Sequence, residues 1–415
     1  MPGPPDPVEI AAGIGRQLVA DAIWHEGRCN WIGGQLEIRT DGASGEYYAA
    51  LGQSLYDGTS GIAQFLAELA VATGDAEARR TALGAIRQAL GDPPLADLGS
   101  GLYSGATGIA VVAARLGRDL EEPELEQAAR ELTVRVVETG RDAATPLAAD
   151  LLYGAAGTAV GLLALARLLD DPALTEAAAS EGDRLLAAAA SDGDGLSWPS
   201  EITAERNLTG FSHGAAGIAF ALLELAGATG EDRYAEAAAR AFDYEQAAFD
   251  DRARNWPDYR ILPGSRGGGF PVLWCHGAPG IALARLAALE RTGDQRYRTQ
   301  AEAALATTRA ALERDARHAG ASMSLCHGVA GNAEVLAEGA RRLGGGWAGA
   351  GALVDDVAAS AADRYAASGR WPSGAGSTDA PGLMIGLAGV GRFYLRRARP
   401  ELPSVLMPEP AALAA

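Results

Sequence analysis

Two short phrases carry the residues best able to do chemistry in this chain: Trp274-Cys275-His276-Gly277-Ala278-Pro279-Gly280 and Leu325-Cys326-His327-Gly328-Val329-Ala330-Gly331. Between them they hold two of only three cysteines and two of only five histidines. Cysteine thiolates and imidazoles are the preferred ligands of zinc, and two such clusters point to one shared metal site. A lone buried cysteine is usually a small hydrophobe, and a lone histidine usually a core or cap residue. Coincidence at equivalent places in two related phrases shifts that balance toward a metal. Two cysteines and one histidine leave a fourth position open, the pattern of a catalytic zinc, whereas a structural zinc has four protein ligands. Cys29 lies outside the phrases and is the remaining candidate for a fourth ligand.

The phrases belong to a longer series. A Gly-x-x-Gly step opening an Ala- and Leu-rich run has its first glycine at Gly58, Gly105, Gly154, Gly214, Gly277, Gly328 and Gly386, with steps of 47 to 63 residues. Each step has room for two helices and two loops. The runs after the glycines, such as Ile109–Ala113, Thr158–Leu163 and Ile218–Leu223, are apolar nearly all round, as expected of inner helices packed on both sides. Amphipathic charged runs lie between them, at Pro123 to Glu138, Asp232 to Ala248 and Asp294 to Arg314, and predict outer helices with one solvated face. Neither terminal repeat has the polar face that caps a solenoid, which favours closure into an α/α toroid over an open superhelix.

The two residues before each first glycine are Tyr56-Asp57, Tyr103-Ser104, Leu152-Tyr153, Ser212-His213, Cys275-His276, Cys326-His327 and Met384-Ile385. Repeats one, two, three and seven are nearly all apolar or aromatic there, so the consecutive repeats four, five and six stand out. In a ring they are neighbours, and these positions should project into one cup at the end of the barrel.

Composition narrows the function. A net charge of −18 without a basic cluster excludes the concentrated Lys/Arg footprint that phosphate binding needs, so no nucleic-acid partner is expected. The acid excess serves chiefly as solubilising surface. With 48% hydrophobic and 21% charged residues in 415, the chain suits one globular domain over residues 1–415. Residues 1–9, Pro-rich at Met1 to Pro7, are expected to be a disordered N-terminus. No basic stretch leads into an apolar core, so neither a signal peptide nor a membrane span is expected, and the expected location is cytoplasmic. Three cysteines make no disulfide framework.

The phrases resemble those of the lanthionine synthetase C-like family, most closely the C-terminal cyclase domain of class II lanthipeptide synthetases. The resemblance is carried by Leu55–Ala63, by Gly210–Ala219, by the two Cys-His-Gly phrases, by Pro381–Met384 with Gly386 and Gly389, and by the ending Leu402–Leu406. It runs from about residue 10 to the C-terminus. What it implies is an all-α toroid of seven inner and seven outer helices holding one zinc on Cys275, Cys326 and His327. His213 matches the family's proposed acid/base histidine, and Asp150 an acidic residue assigned to the same site. From the sequence alone Asp150 would be a helix N-cap or loop residue. His276 is not a ligand by that pattern. Some members place an arginine four residues before the first cysteine ligand; Pro271 stands there, which leaves Arg266 or His276 as supporting groups.

The implied activity is addition of peptide cysteine thiolates to dehydroalanine or dehydrobutyrine, forming lanthionine or methyllanthionine rings in a precursor peptide. No dehydratase domain precedes the first phrase, so a separate dehydratase is expected. Two alternatives stand beside this: addition of a small thiol such as glutathione to dehydrated residues, and a zinc-stabilised scaffold that binds a leader peptide without chemistry. Having both His213 and Asp150 argues against the scaffold.

Overall fold

A computed structural model describes residues 6–38, 44–91, 98–140, 148–200, 202, 204, 206–261, 269–318, 320–347, 349–374 and 380–414. Each of the seven phrases opens a helix at the residue after its first glycine. These are α2 (Thr59–Thr73), α4 (Ala106–Asp119), α6 (Ala155–Leu168), α8 (Ala215–Thr229), α10 (Ala278–Thr292), α12 (Val329–Leu343) and α14 (Leu387–Ala398). Each packs on the next, and α14 packs back on α2, so the inner ring closes. Outside it lie α3 (Ala76–Ala89), α5 (Pro123–Gly140), α7 (Ala173–Ala188), α9 (Asp232–Ala247), α11 (Gln295–Asp315) and α13 (Ala350–Ser368), each against the inner helix that precedes it. The seventh outer position, against α14, is filled by α1 (Pro7–Asp21) from the other end of the chain. A short α15 (Pro410–Leu413) follows.

The expected disorder of residues 1–9 is corrected at its end: α1 begins at Pro7. The Asp6 carboxylate accepts from the Val8 amide at 2.9 Å, and proline at the first helical position gives up no bond there. Sheet is confined, among the described residues, to three antiparallel hairpins: β1 (Ile23–His25) with β2 (Arg28–Asn30), β3 (Ile32–Ile38) with β4 (Ser44–Ala50), and β5 (Ala190–Asp192) with β6 (Gly195–Ser197). Cys29, on β2, is buried against α3, where its thiol donates to the Thr81 carbonyl at 3.4 Å. Burial pushes that thiol up to about 12, the behaviour of a packing residue rather than of a ligand.

The second glycine of each phrase has a common physical cause. A Cβ at Gly61, Gly108, Gly157, Gly217, Gly280, Gly331 or Gly389 would lie 1.8–2.3 Å from the carbonyl oxygen six residues earlier. The loop entering each helix therefore lies directly on that helix's first turn. Inside the ring, Tyr103, Phe211 and Trp274 meet edge to face at 5.3 and 5.8 Å between ring centres. The C-terminal segment reaches the same interior, accepting from the Tyr103 hydroxyl at Val405 and from the Trp274 indole at Leu406.

The inner helices are less apolar than their sequences suggested. Glu68, Arg115, Glu224, Arg285, Glu334, Glu338 and Arg392 are buried on them. They are paired: Arg392 with Glu68, Arg285 with Glu245, Arg396 with Glu334 and Arg291 with Glu224. Burying a charge is tolerable only with such a partner.

Candidate active site

The residues before the inner helices form a belt of backbone hydrogen bonds that passes from repeat to repeat. The Cys326 amide donates to the Met384 carbonyl (2.9 Å), Met384 to Tyr56 (2.7 Å), and Tyr56 to Tyr103 (2.8 Å). Tyr103 donates in turn to Leu152, Leu152 to Ser212, and Ser212 to Cys275, each at 3.2 Å. Among the described residues no such bond joins the Cys275 phrase to the Cys326 phrase. At that one step two thiols meet instead, and the Asn332 side chain donates to the Val272 carbonyl at 2.9 Å. All seven inner helices start at the belt, so their N-termini and positive dipole ends lie at this end of the barrel.

Most of those N-termini are satisfied alike: the first helical amide donates to a carbonyl seven residues back, as from Ala155 to Ala148, Ala215 to Leu208 and Val329 to Ser322. The Cys275 repeat departs from this. Here the Asn255 carboxamide accepts from the Ala278 amide at 2.9 Å and donates to the Phe270 and Pro271 carbonyls. Gly277 has φ +95° and a Cβ there would lie 1.9 Å from the Pro271 oxygen, so only glycine fits. Asn255 thereby fixes both sides of the turn that presents Cys275.

Both site cysteines are withdrawn from solvent, Cys326 almost wholly. The two thiols are close enough to perturb each other: the neighbouring Cys326 thiol holds Cys275 below an ordinary thiol, with the Arg260 cation acting in the same direction. The neighbouring Cys275, together with burial, pushes Cys326 up. Tyr56 lies beside Cys326, and burial raises its phenol well above its usual range. His327, the next residue, is half-buried and burial alone lowers its imidazole. Two sulfurs thus converge as soft donors, and His327 is not gathered with them: no group of three His, Cys, Asp or Glu side chains among the described residues is arranged to hold a metal ion. The donor chemistry of the buried sulfur pair fits zinc.

His213 and Asp150 are together. His213 Nδ1 lies 2.8 Å from Asp150 Oδ2, and both side chains are mostly buried. The other carboxylate oxygen accepts from the Tyr153 amide at 2.7 Å and the Gly154 amide at 3.2 Å. Asp150 is therefore both the loop cap its position suggested and the partner of a histidine. A carboxylate at Nδ1 assigns the imidazole proton there, leaving Nε2 to accept or deliver one. Half-exposed Tyr153 stacks on His213 at 5.4 Å. A cavity of about 310 Å³ opens beside the pair, walled by Ala149, Trp198, Pro199 and Ile202.

His276 stacks on the other side of His213, with ring centres 5.7 Å apart. It is buried, and burial with the nearby Arg260 lowers it to about 3, so it is neutral at ordinary pH. Its Nδ1 is 3.7 Å from Asp258 Oδ1, and Asp258 is clamped by Arg260 at 2.7 to 3.1 Å. Arg266 lies outside the described residues.

The lanthionine synthetase C-like profile matches residues 49–408. The chain belongs to the lanthionine synthetase C-like family. Among solved structures, nisin cyclase superposes with a TM-score of 0.65 at 18% identity, covering 87% of this chain and 92% of its own. An α-mannanase of Bacteroides thetaiotaomicron superposes with a TM-score of 0.52 at 13% identity, covering 96% of each. Likenesses at that identity show the shared α/α toroid and nothing finer. No curated protein matches the sequence. No described helix of this lanthionine synthetase C-like chain is long and apolar enough to cross a membrane.

Three site residues escaped the sequence reading: Tyr56, Asp258 and Arg260. Tyr56 stands in a phrase but looked like packing beside its aromatic counterparts. Asp258 and Arg260 lie in the irregular connection from α9 to α10, where no periodicity marks them. The only signal was an i, i+2 acid–arginine pair, too common to choose.

Proposed function

We propose that the protein is a zinc-dependent thioether-forming cyclase, which adds cysteine thiols of a dehydrated precursor peptide to dehydroalanine or dehydrobutyrine. The observation that carries this reading is the convergence at one end of the barrel of a buried thiol pair and a His213–Asp150 pair. A non-catalytic scaffold has no use for the second.

Cys275 and Cys326 would hold the zinc, with His327 turning in as the third ligand that the family pattern implies; when bound, the zinc supplies a Lewis acid that favours the thiolate form of a substrate thiol. The remaining work falls to this chain's own side chains. A free thiol with a pKa of roughly 8.5 is mostly protonated at neutral pH, so its proton must be accepted. His213 Nε2 accepts it, while Asp150 holds the tautomer and steadies the imidazolium. The S–Cβ bond forms as the C=C π bond breaks, and the electron pair moves toward the acyl oxygen. His213 then returns a proton to Cα, so S–H has added across C=C with nothing oxidised and no group leaving. The cavity beside the pair, walled largely by apolar side chains, suits the flanking peptide residues.

The ligand set predicts one zinc per chain, lost in Cys326→Ala while the helical circular dichroism remains; full metal in that variant would sink the assignment. The activity is tested by offering a dehydrated, cysteine-containing peptide together with glutathione. Ring formation leaves the peptide mass unchanged and consumes its thiol. A peptide carrying glutathione as the main product would favour small-thiol addition instead.

A further inference from the structure

Arg260 belongs to none of the seven phrases, yet its charge acts on both sulfurs of the site. Its Nε lies 3.0 and 3.1 Å from the two Asp258 oxygens and its Nη2 2.7 Å from one of them, so the guanidinium plane is held by its edge. Asp258 is itself 9% exposed, and Arg260 keeps 19% of its side chain open. The carboxylate also reaches toward His276 Nδ1 at 3.7 Å, beside the sulfur of Cys275 in sequence and 5.7 Å ring to ring from His213. A surface pair of this kind would be worth little, but this one is withdrawn from water, where fixed charges act more strongly.

The reaction inferred above moves negative charge. It begins on a thiolate sulfur and passes, as the S–Cβ bond forms and the C=C π bond breaks, to the acyl oxygen of the dehydrated residue, until Cα is protonated. Neither Cys-His phrase carries a lysine or arginine to offset that charge. We propose that Arg260, held by Asp258 beside His276, is the residue that stabilises the developing enolate. The role rests on the thioether-forming reading and assigns a cation that the phrase pattern does not contain. Donors placed where an oxyanion develops are typically worth about 10²–10³ in kcat each.

The test uses the zinc-loaded protein and a dehydrated, cysteine-containing peptide, with Arg260→Gln, Arg260→Lys and Arg260→Ala compared for kcat, KM, zinc content and melting temperature. Arg260→Gln is expected to lose about 10²–10³ in kcat with zinc content unchanged and KM within a few-fold of the parent. Lysine cannot reproduce a bidentate fork, so Arg260→Lys is expected to fall at least about tenfold, and it carries the test should the glutamine variant not fold. Arg260→Ala should regain rate saturably with methylguanidinium and not with sodium, a response that a merely structural arginine would not give. Parental kcat in the glutamine or lysine variant, a loss confined to KM, or an alanine variant that methylguanidinium does not rescue would each overturn the role of Arg260. A parent protein that consumes no peptide thiol overturns the thioether reading along with it, so the two failures are distinguishable.

Discussion

At the residue scale, the two oxygens of Asp150 have separate duties, one capping the loop before α6 and one holding His213 Nδ1. A substitution that keeps the shape but removes the charge separates them. Asp150→Asn should fold with near-parental stability and lose thioether formation, because the carboxylate no longer fixes the proton on Nδ1. His213→Asn should lose about 10²–10⁴ in rate, the usual worth of general acid/base help, while keeping its zinc. Rates are scored against a no-enzyme control, and a His213→Asn protein that cyclises at the parental rate would remove this histidine from the mechanism. His213, Cys275 and Cys326 were legible in the sequence because they break the apolar habit of a repeated position. Asp150 needed the family resemblance, and Arg260 and Asp258 needed coordinates, since contact across an irregular loop leaves no periodic trace.

At the element scale, each inner helix begins where a loop carbonyl lies on its first turn, and the second glycine is the contact. Gly280→Ala would place a methyl 2.1 Å from the Trp274 oxygen and 2.5 Å from Phe211 Cβ. Overpacking of that kind costs about 1–3 kcal/mol, to be read as a lower midpoint in denaturant. Gly227 provides the control, since on the same kind of helix its nearest neighbour is the Arg291 guanidinium at 4.0 Å. Gly227→Ala should be neutral or stabilise by up to about 1 kcal/mol, through the entropy of the unfolded chain. Equal effects at the two positions would refute the packing account. The place of each inner helix was legible because the glycine step is a steric requirement. The hairpins were not, being short and without a repeated signal.

At the scale of the whole molecule, the ring closes through a buried ion pair, Arg392 on α14 with Glu68 on α2 at 2.8 Å, and through α1 packing on α14. The sequence argued for closure by what its terminal repeats lacked, and could not foresee charges as the seam. Glu68→Leu alone strands a buried guanidinium and should cost about 3–5 kcal/mol, whereas adding Arg392→Met should recover most of it. A double variant no more stable than the single would show that the pair does not act as a unit. The belt, closed everywhere by backbone bonds except where the two thiols meet, gathers Asp150, His213, Cys275 and Cys326 from four consecutive repeats at one end of the barrel, and we propose that this is the reacting cup. The most direct test of that claim is the peptide's own thiol count. A dehydrated, cysteine-containing peptide is incubated with the zinc-loaded protein, with Cys326→Ala or with no protein, and the remaining thiols are alkylated and counted by mass spectrometry. The account predicts that only the zinc-loaded parent removes alkylatable thiols without changing the peptide's mass. A peptide that stays fully alkylatable beside a parent protein carrying its zinc would contradict it.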